Sequence, residues 1–189
     1  MNSRRNLWTK HLRGNGQLVQ TPIVKNANFE GIILGIDPSL RGSGFAVVEV
    51  RQGQFKLLDS LTLKLSPKLN FVECLGELFL TTQRFLETFA VKAVGIESTI
   101  YVQNSKTAHI LGSARGACLA AVALKNLPVK EFPPLRIKKS VVGVGQATKE
   151  QVGKMLVQLL HLPACLPPDE SDAAATALCY FFSLKSLIH

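Results

Sequence analysis

The chain has 189 residues, 47% hydrophobic and 19% charged, which is enough apolar surface for one sizeable core and too little length for two ordinary domains. That composition excludes wholesale disorder, and no run approaches the roughly 18 consecutive apolar residues of a membrane span. Lys and Arg outnumber Asp and Glu by 22 to 13, a net charge of +9, the electrostatic footprint of a polyanion binder or of a merely basic soluble protein. Cys74, Cys118, Cys165 and Cys179 lie far apart, with neither a C-x-x-C pair nor a neighbouring histidine pair, so zinc and disulfide scaffolds are not indicated.

Residues 1–30 read as a basic arm: Arg4, Arg5, Lys10, Arg13 and Lys25 all precede the first acid, Glu30, and no apolar period runs through them. A DNA-touching arm, a transit peptide and an upstream-shifted start are the three readings of it. From Gly31 the pattern becomes strand-like. Residues 32–36 form an apolar run ending at Asp37; Pro38, Gly42 and Gly44 make a turn; residues 45–48 and 55–65 supply two more strands, giving an antiparallel meander. Phe71, Leu75, Leu78, Phe85, Leu86 and Phe89 then fall on one face of a helix of about five turns. Residues 92–97 return to strand. A second helix is expected over 105–125, where Gly112, Ala114, Gly116, Cys118, Ala120 and Ala121 form a small-residue face that suits either the core or a dimer seam. A strand at 129–132, a loop through Pro133 and Pro134, a helix over 148–160 and a last helix from Asp169 to about residue 187 complete the chain. The order predicts an α/β fold with one mixed central sheet flanked by helices, over residues 31–189.

Of the four aspartates, Asp37 ends the first strand, and Asp169 and Asp172 open the last helix on one face; only Asp59 stands apart. Glu97 ends another apolar strand. Four carboxylates at one sheet edge would repel by about 4 kcal/mol per pair at 4 Å and an effective dielectric of 20. Divalent cations with oxygen preference, Mg2+ or Mn2+, answer that repulsion. Two such ions can activate a water and stabilise the leaving oxygen of a phosphoryl displacement. Taken singly, Asp169 after Pro167 and Pro168 also makes a good N-cap, Asp172 suits a first helical turn, and Asp37 suits a turn before Pro38.

Six strings carry a family resemblance: Gly35-Ile36-Asp37-Pro38 with Gly42-Ser43-Gly44-Phe45; Gly95-Ile96-Glu97; residues 111–116 (LGSARG); residues 141–145 (VVGVG); and Asp169-Glu170-Ser171-Asp172-Ala173-Ala174. In this order they closely resemble the RuvC family of bacterial Holliday-junction resolvases, in register from about residue 32 to residue 179. The resemblance implies an RNase H-like fold and a homodimer that nicks two like-polarity strands of a four-way junction, leaving a 5′-phosphate and a 3′-hydroxyl. It implies Asp37, Glu97, Asp169 and Asp172 as catalytic ligands of Mg2+ or Mn2+, two ions per site, and Lys138 and Lys149 as DNA contacts. It further implies a branch-migration helicase as partner and a bacterial cytoplasmic location, with organellar targeting by the arm left open.

The residues speak for some of this independently. Between Lys106 and Lys149 there are eight basic residues and one acid, Glu131, so Lys106 and Arg136 join Lys138 and Lys149 as candidate DNA contacts. Thr148 and Gln151 form a capping box, and a lysine at 149 opposes the helix dipole unless a phosphate sits there. Arg115 reads as a structural or dimer-face residue, and His109 as a packing residue. Two positions depart from the family. Ser39 stands where it has Gly, and Ile100 stands where it often has a stacking Phe, so Tyr101 either stacks on a splayed base or packs in the core. The rival readings are an RNase H-like nuclease of structured RNA, a catalytically silent junction binder, and an ATP-binding relative of sugar kinases and actin, for which the chain is short.

Overall fold

The structure is a computed structural model that describes residues 29–98 and 104–185; most of the basic arm, Ile100 and Tyr101 lie outside them. Gln52 and Gly53 both take positive φ, +52° and +75°, the backbone of a tight two-residue hairpin. That turn folds β2 (Gly42–Arg51) onto β3 (Gln54–Lys64), and β2 also runs antiparallel to β1 (Gly31–Asp37), so the expected meander forms. After α1 (Phe71–Thr88), β4 (Val91–Glu97) pairs parallel with β1; after α2 (Ser105–Leu124), β5 (Val129–Phe132) pairs parallel with β4. The sheet order is β3-β2-β1-β4-β5. Three helices follow: α3 (Pro134–Val142), α4 (Lys149–Leu159) and α5 (Pro168–Lys185).

Alternation along the strands sorts side chains onto two faces. Leu34, Ile36, Phe45, Val47, Val94 and Ile96 face one cluster with Leu78, Phe85 and Leu86 of α1 and Ala114, Cys118 and Val122 of α2. Ile33, Ala46, Val48, Val50 and Ala93 face the other, with α3, α4 and α5. The second face is where the fold is most constrained. A Cβ on Gly35 would collide with the carbonyl oxygen of Ala173, and one on Gly44 with that of Asp169. One on Gly95 would lie 2.8 Å from the carbonyl oxygen of Thr176. These three glycines on three adjacent strands let the α5 backbone rest directly on the sheet.

Two expectations change. Residues 134–142 form α3 rather than loop: Pro134 occupies the first helical turn, Ile137 and Val141 bury one face, and Gly143 ends the helix at φ +91°. Helix α5 starts at Pro168, so Asp169 lies inside the first turn and is not the N-cap; proline at the helix start has no N–H to satisfy there. Although no long unbroken apolar run exists, α2 is by length and composition apolar enough to cross a membrane, with mean hydropathy 1.3. In this fold it lies on α1 and the sheet through Ala114, Cys118, Ala121 and Val122, and it carries Arg115, paired with Glu131 of β5 at 2.7 Å.

If the glycine contacts govern the packing, Gly35→Ala costs about 2 kcal/mol or more in urea unfolding, the scale of overpacking. Gly76→Ala in α1, where an added Cβ meets nothing within 4 Å, stabilises by about 0.8 kcal/mol through helix propensity.

Candidate active site

The alternation that puts Ile33 and Gly35 on the α5 face puts Asp37 there too, at the end of β1; Ala93 and Gly95 do the same for Glu97 on β4. The parallel register pairs Gly35 with Gly95 and Ile36 with Ile96, so both carboxylates leave the sheet at one level. Above them, α5 crosses with Asp169 and Asp172 in its first two turns. The closeness shows in the electrostatics. Burial, joined by the charges of Asp172 and Asp169, raises Asp37 to about 6 against an opposing contribution from Lys149. Burial, joined by Asp37 and Asp172, raises Glu97 to about 8, with Lys149 and Lys138 opposing. All four predicted carboxylates therefore share one site.

Of the predicted basic residues, Lys149 reaches it directly. Thr148 caps α4 by accepting from the Gln151 amide at 3.2 Å while Gln151 returns the bond to the Thr148 amide at 2.9 Å. From the first turn so fixed, Lys149 Nζ donates to Asp172 Oδ2 at 2.6 Å, and this bond holds its ammonium pKa above the usual lysine range. Lys138 of α3 is half-buried and acts on Glu97. Lys106 is exposed in the first turn of α2 and has no ion pair among the described residues. Arg136 turns the other way, over the Phe132 ring at 5.6 Å, into a cavity between α3 and α5. Tyr101 lies outside the described residues. His109, expected to pack, is exposed and lies beside the Phe71 ring at 5.9 Å. Ser39 contributes its backbone to the turn after Asp37. Its N–H donates to Ser43 Oγ at 2.8 Å and its carbonyl accepts from the same hydroxyl at 2.5 Å, so a side chain at this position leaves the turn intact.

One residue escaped the sequence reading. Glu170 accepts hydrogen bonds from Ser60 Oγ at 2.6 Å and Thr62 Oγ1 at 3.1 Å, tying the first turn of α5 to β3 beside the carboxylates. Its partners are 110 and 108 residues away in sequence, so no local spacing announces it.

The donor set suits a hard divalent cation: every candidate ligand is a carboxylate, and the strained ionisation of Asp37 and Glu97 is what a cation relieves. Among the described residues no three His, Cys, Asp or Glu side chains form a ready-made cage for an ion. The carboxylates make an open oxygen site in which Lys149 neutralises Asp172.

A family model for the crossover junction endodeoxyribonuclease RuvC matches residues 33–180. The chain is similar to the curated crossover junction endodeoxyribonuclease RuvC of Solidesulfovibrio magneticus, 36% identical over 151 residues, 80% of this chain and 89% of that one. It is also similar to that of Idiomarina loihiensis, 38% identical over 161 residues, 83% and 90% of the two chains. Among solved structures it is similar to Thermus thermophilus RuvC in complex with a Holliday junction substrate, with a TM-score of 0.77 and 30% identity over 82% of this chain and 96% of that one.

The raised carboxylates give a stability prediction. An acid whose folded pKa exceeds its unfolded one contributes stability below the unfolded value and loses it as pH rises through the folded value. With divalent cations chelated, stability therefore falls from the ordinary glutamate range up to about pH 8, the window in which the unfolded carboxyl is ionised while folded Glu97 keeps its proton. Glu97→Gln removes that loss: its melting temperature at pH 8 exceeds that of the unaltered protein by roughly 3 °C for each kcal/mol recovered, and the difference vanishes at pH 4, as calorimetry would read.

Proposed function

The chain belongs to the crossover junction endodeoxyribonuclease RuvC family, and from that premise we infer that it is a Holliday junction resolvase acting by paired nicks in like-polarity strands. The fold is RNase H-like, and the family is one of metal-dependent nucleases. The observation that carries the reading is the meeting of Asp37, Glu97, Asp169 and Asp172 at one sheet end, beside Lys149 and Lys138.

Asp37, Glu97, Asp169 and Asp172 are the residues that would hold magnesium, with manganese as substitute and two ions per site. When bound, these ions polarise the scissile phosphate and make water a nucleophile at neutral pH. The protein's own part is electrostatic and positional. Burial keeps the carboxylates poised for a cation, and Lys149 and Lys138 bring positive charge to a phosphate at the cleft. Hydrolysis proceeds by direct attack of water and leaves a 5′-phosphate and a 3′-hydroxyl.

We assign the working unit as a homodimer. Helix α2 supports this: only a strip of it is buried, and Gly112 and Gly116 have open space above them, which allows a second helix to approach closely. Residues 31–189 are the nuclease domain, residues 1–30 a basic arm, and Lys106, Arg136 and Tyr101 further DNA contacts. A branch-migration helicase delivers the junction. The bacterial RuvC relatives support a cytoplasmic location.

The test is nicking of a synthetic four-way junction beside a linear duplex of the same sequence. The expected result is magnesium-dependent symmetric nicks on the junction, reduced on the order of 10²–10³-fold by Asp37→Asn, the scale for losing one group of a preorganised electrostatic site. Equal cutting of the linear duplex, or undiminished cutting by the variant, contradicts the reading.

A further inference from the structure

A second concentration of positive charge lies on the far side of α3 from the carboxylates. Arg136, Lys139 and Ser140 of α3 and Cys179, Phe182 and Ser183 of α5 line a cavity of about 510 Å³. Lys130 of β5 joins this group: its Nζ donates to Ser183 Oγ at 3.1 Å and lies 5.4 Å from the centre of the Tyr180 ring. Arg136 is held over Phe132, which leaves the edge of its guanidinium for another partner. Lys130, Arg136 and Lys139 have no ion pair among the described residues; the neighbouring acid, Glu131, is occupied by Arg115. Alternation along β5 sends Glu131 to the opposite side of the sheet from Lys130.

Bringing three cations together without a carboxylate is unfavourable unless an anion joins them. The strain is visible at Lys130, whose ammonium pKa is lowered by burial and then by Arg136. An Arg fork, an ammonium fixed by a serine and an exposed lysine match a group with several acceptor oxygens around one centre. A phosphate has that shape. The cavity also has a defined relation to the cleft: Lys138, adjacent to Lys139 on α3, acts on Glu97. Along α5, Cys179 and Ser183 lie about 10 and 17 Å beyond Asp172 at 1.5 Å per residue. At about 3.4 Å per nucleotide of a DNA strand, that is a separation of three to five nucleotides.

We propose that Lys130, Arg136 and Lys139, with Lys130 positioned by Ser183, whose own hydroxyl donates to the Tyr180 carbonyl at 2.7 Å, form a second phosphate site that seats a backbone phosphate of the junction a few nucleotides from the cleaved bond. The assignment rests on the resolvase reading and adds to it a contact that strengthens the hold on the strand beyond the cleaved bond.

The test uses the full chain with Lys130→Gln/Lys139→Gln and, separately, the exposed charge reversal Lys139→Glu, which removes no packing. Junction binding is followed by anisotropy across salt concentrations, and single-turnover nicking is measured at saturating DNA. The expected result is about tenfold weaker junction binding and a salt slope reduced by about 1, the signature of one lost phosphate contact, with the nicking rate at saturation unchanged. Inorganic phosphate titrated into the unaltered protein should shift the amide resonances of Lys130, Lys139 and Ser183, and leave them unmoved in the double variant. Unchanged affinity and slope in both variants overturn the proposal, and if inorganic phosphate still binds, the cavity takes a free anion rather than DNA. If the unaltered protein shows no junction preference, the resolvase reading falls and this site falls with it. Junction-specific nicking with unaltered slopes removes this site alone.

Discussion

Helix α5 touches the sheet backbone to backbone, and most of what is distinctive here follows from that contact. A helix on a sheet ordinarily stands about 10 Å away on a layer of side chains. Here Gly35, Gly44 and Gly95 remove that layer beneath Asp169, Ala173 and Thr176. The helix is thereby lowered where β1 and β4 end, and its first two turns come within electrostatic reach of Asp37 and Glu97. Glu170, clasped by Ser60 and Thr62, fixes the same end against β3. With larger residues at the glycine positions, the helix carboxylates would be lifted away from the strand carboxylates by the width of a side chain.

The closeness has an energetic consequence. Carboxylates that are buried and mutually repelling resist ionisation, which is why Asp37 and Glu97 rise to about 6 and about 8. Left to themselves they destabilise the fold near neutral pH. Lys149 offsets part of this at Asp172, and a divalent cation offsets more. The site is thus an instance of stability surrendered locally so that ligand affinity is gained. The second group of cations, around Lys130 and Arg136, has the opposite charge and the same logic: like charges held together by packing, in need of a counter-ion.

Much of this was legible in the sequence because it depends on local periodicity. Apolar runs ending in Asp37 and Glu97 located the strand ends, and the Thr148-x-x-Gln151 box located the start of α4 and with it Lys149. The period-2 placement of Gly35, Asp37, Gly95 and Glu97 on one face is present in the sequence, yet glycines of this kind read as turn or flexibility signals until an opposing helix is known. Helix α3 was hidden because its two buried positions, Ile137 and Val141, are too few to establish a period, and because Pro133-Pro134 resembles a loop. Proline at the start and Gly143 just past the end were the signals that could have revealed it. Asp169 was misplaced by one step for a related reason: Pro168 takes the first helical position. Glu170, Ser60 and Thr62 meet across more than 100 residues, a relation only the sheet topology supplies.

Lowered onto the glycines, α5 creates a carboxylate cluster whose natural complement is a divalent cation. Anomalous diffraction from crystals soaked in manganese tests it most directly. A manganese peak is expected about 2.1 Å from oxygens of Asp37 and of at least one of Glu97, Asp169 and Asp172. A peak bound elsewhere, or none at saturating manganese with Lys149 still on Asp172, would contradict it.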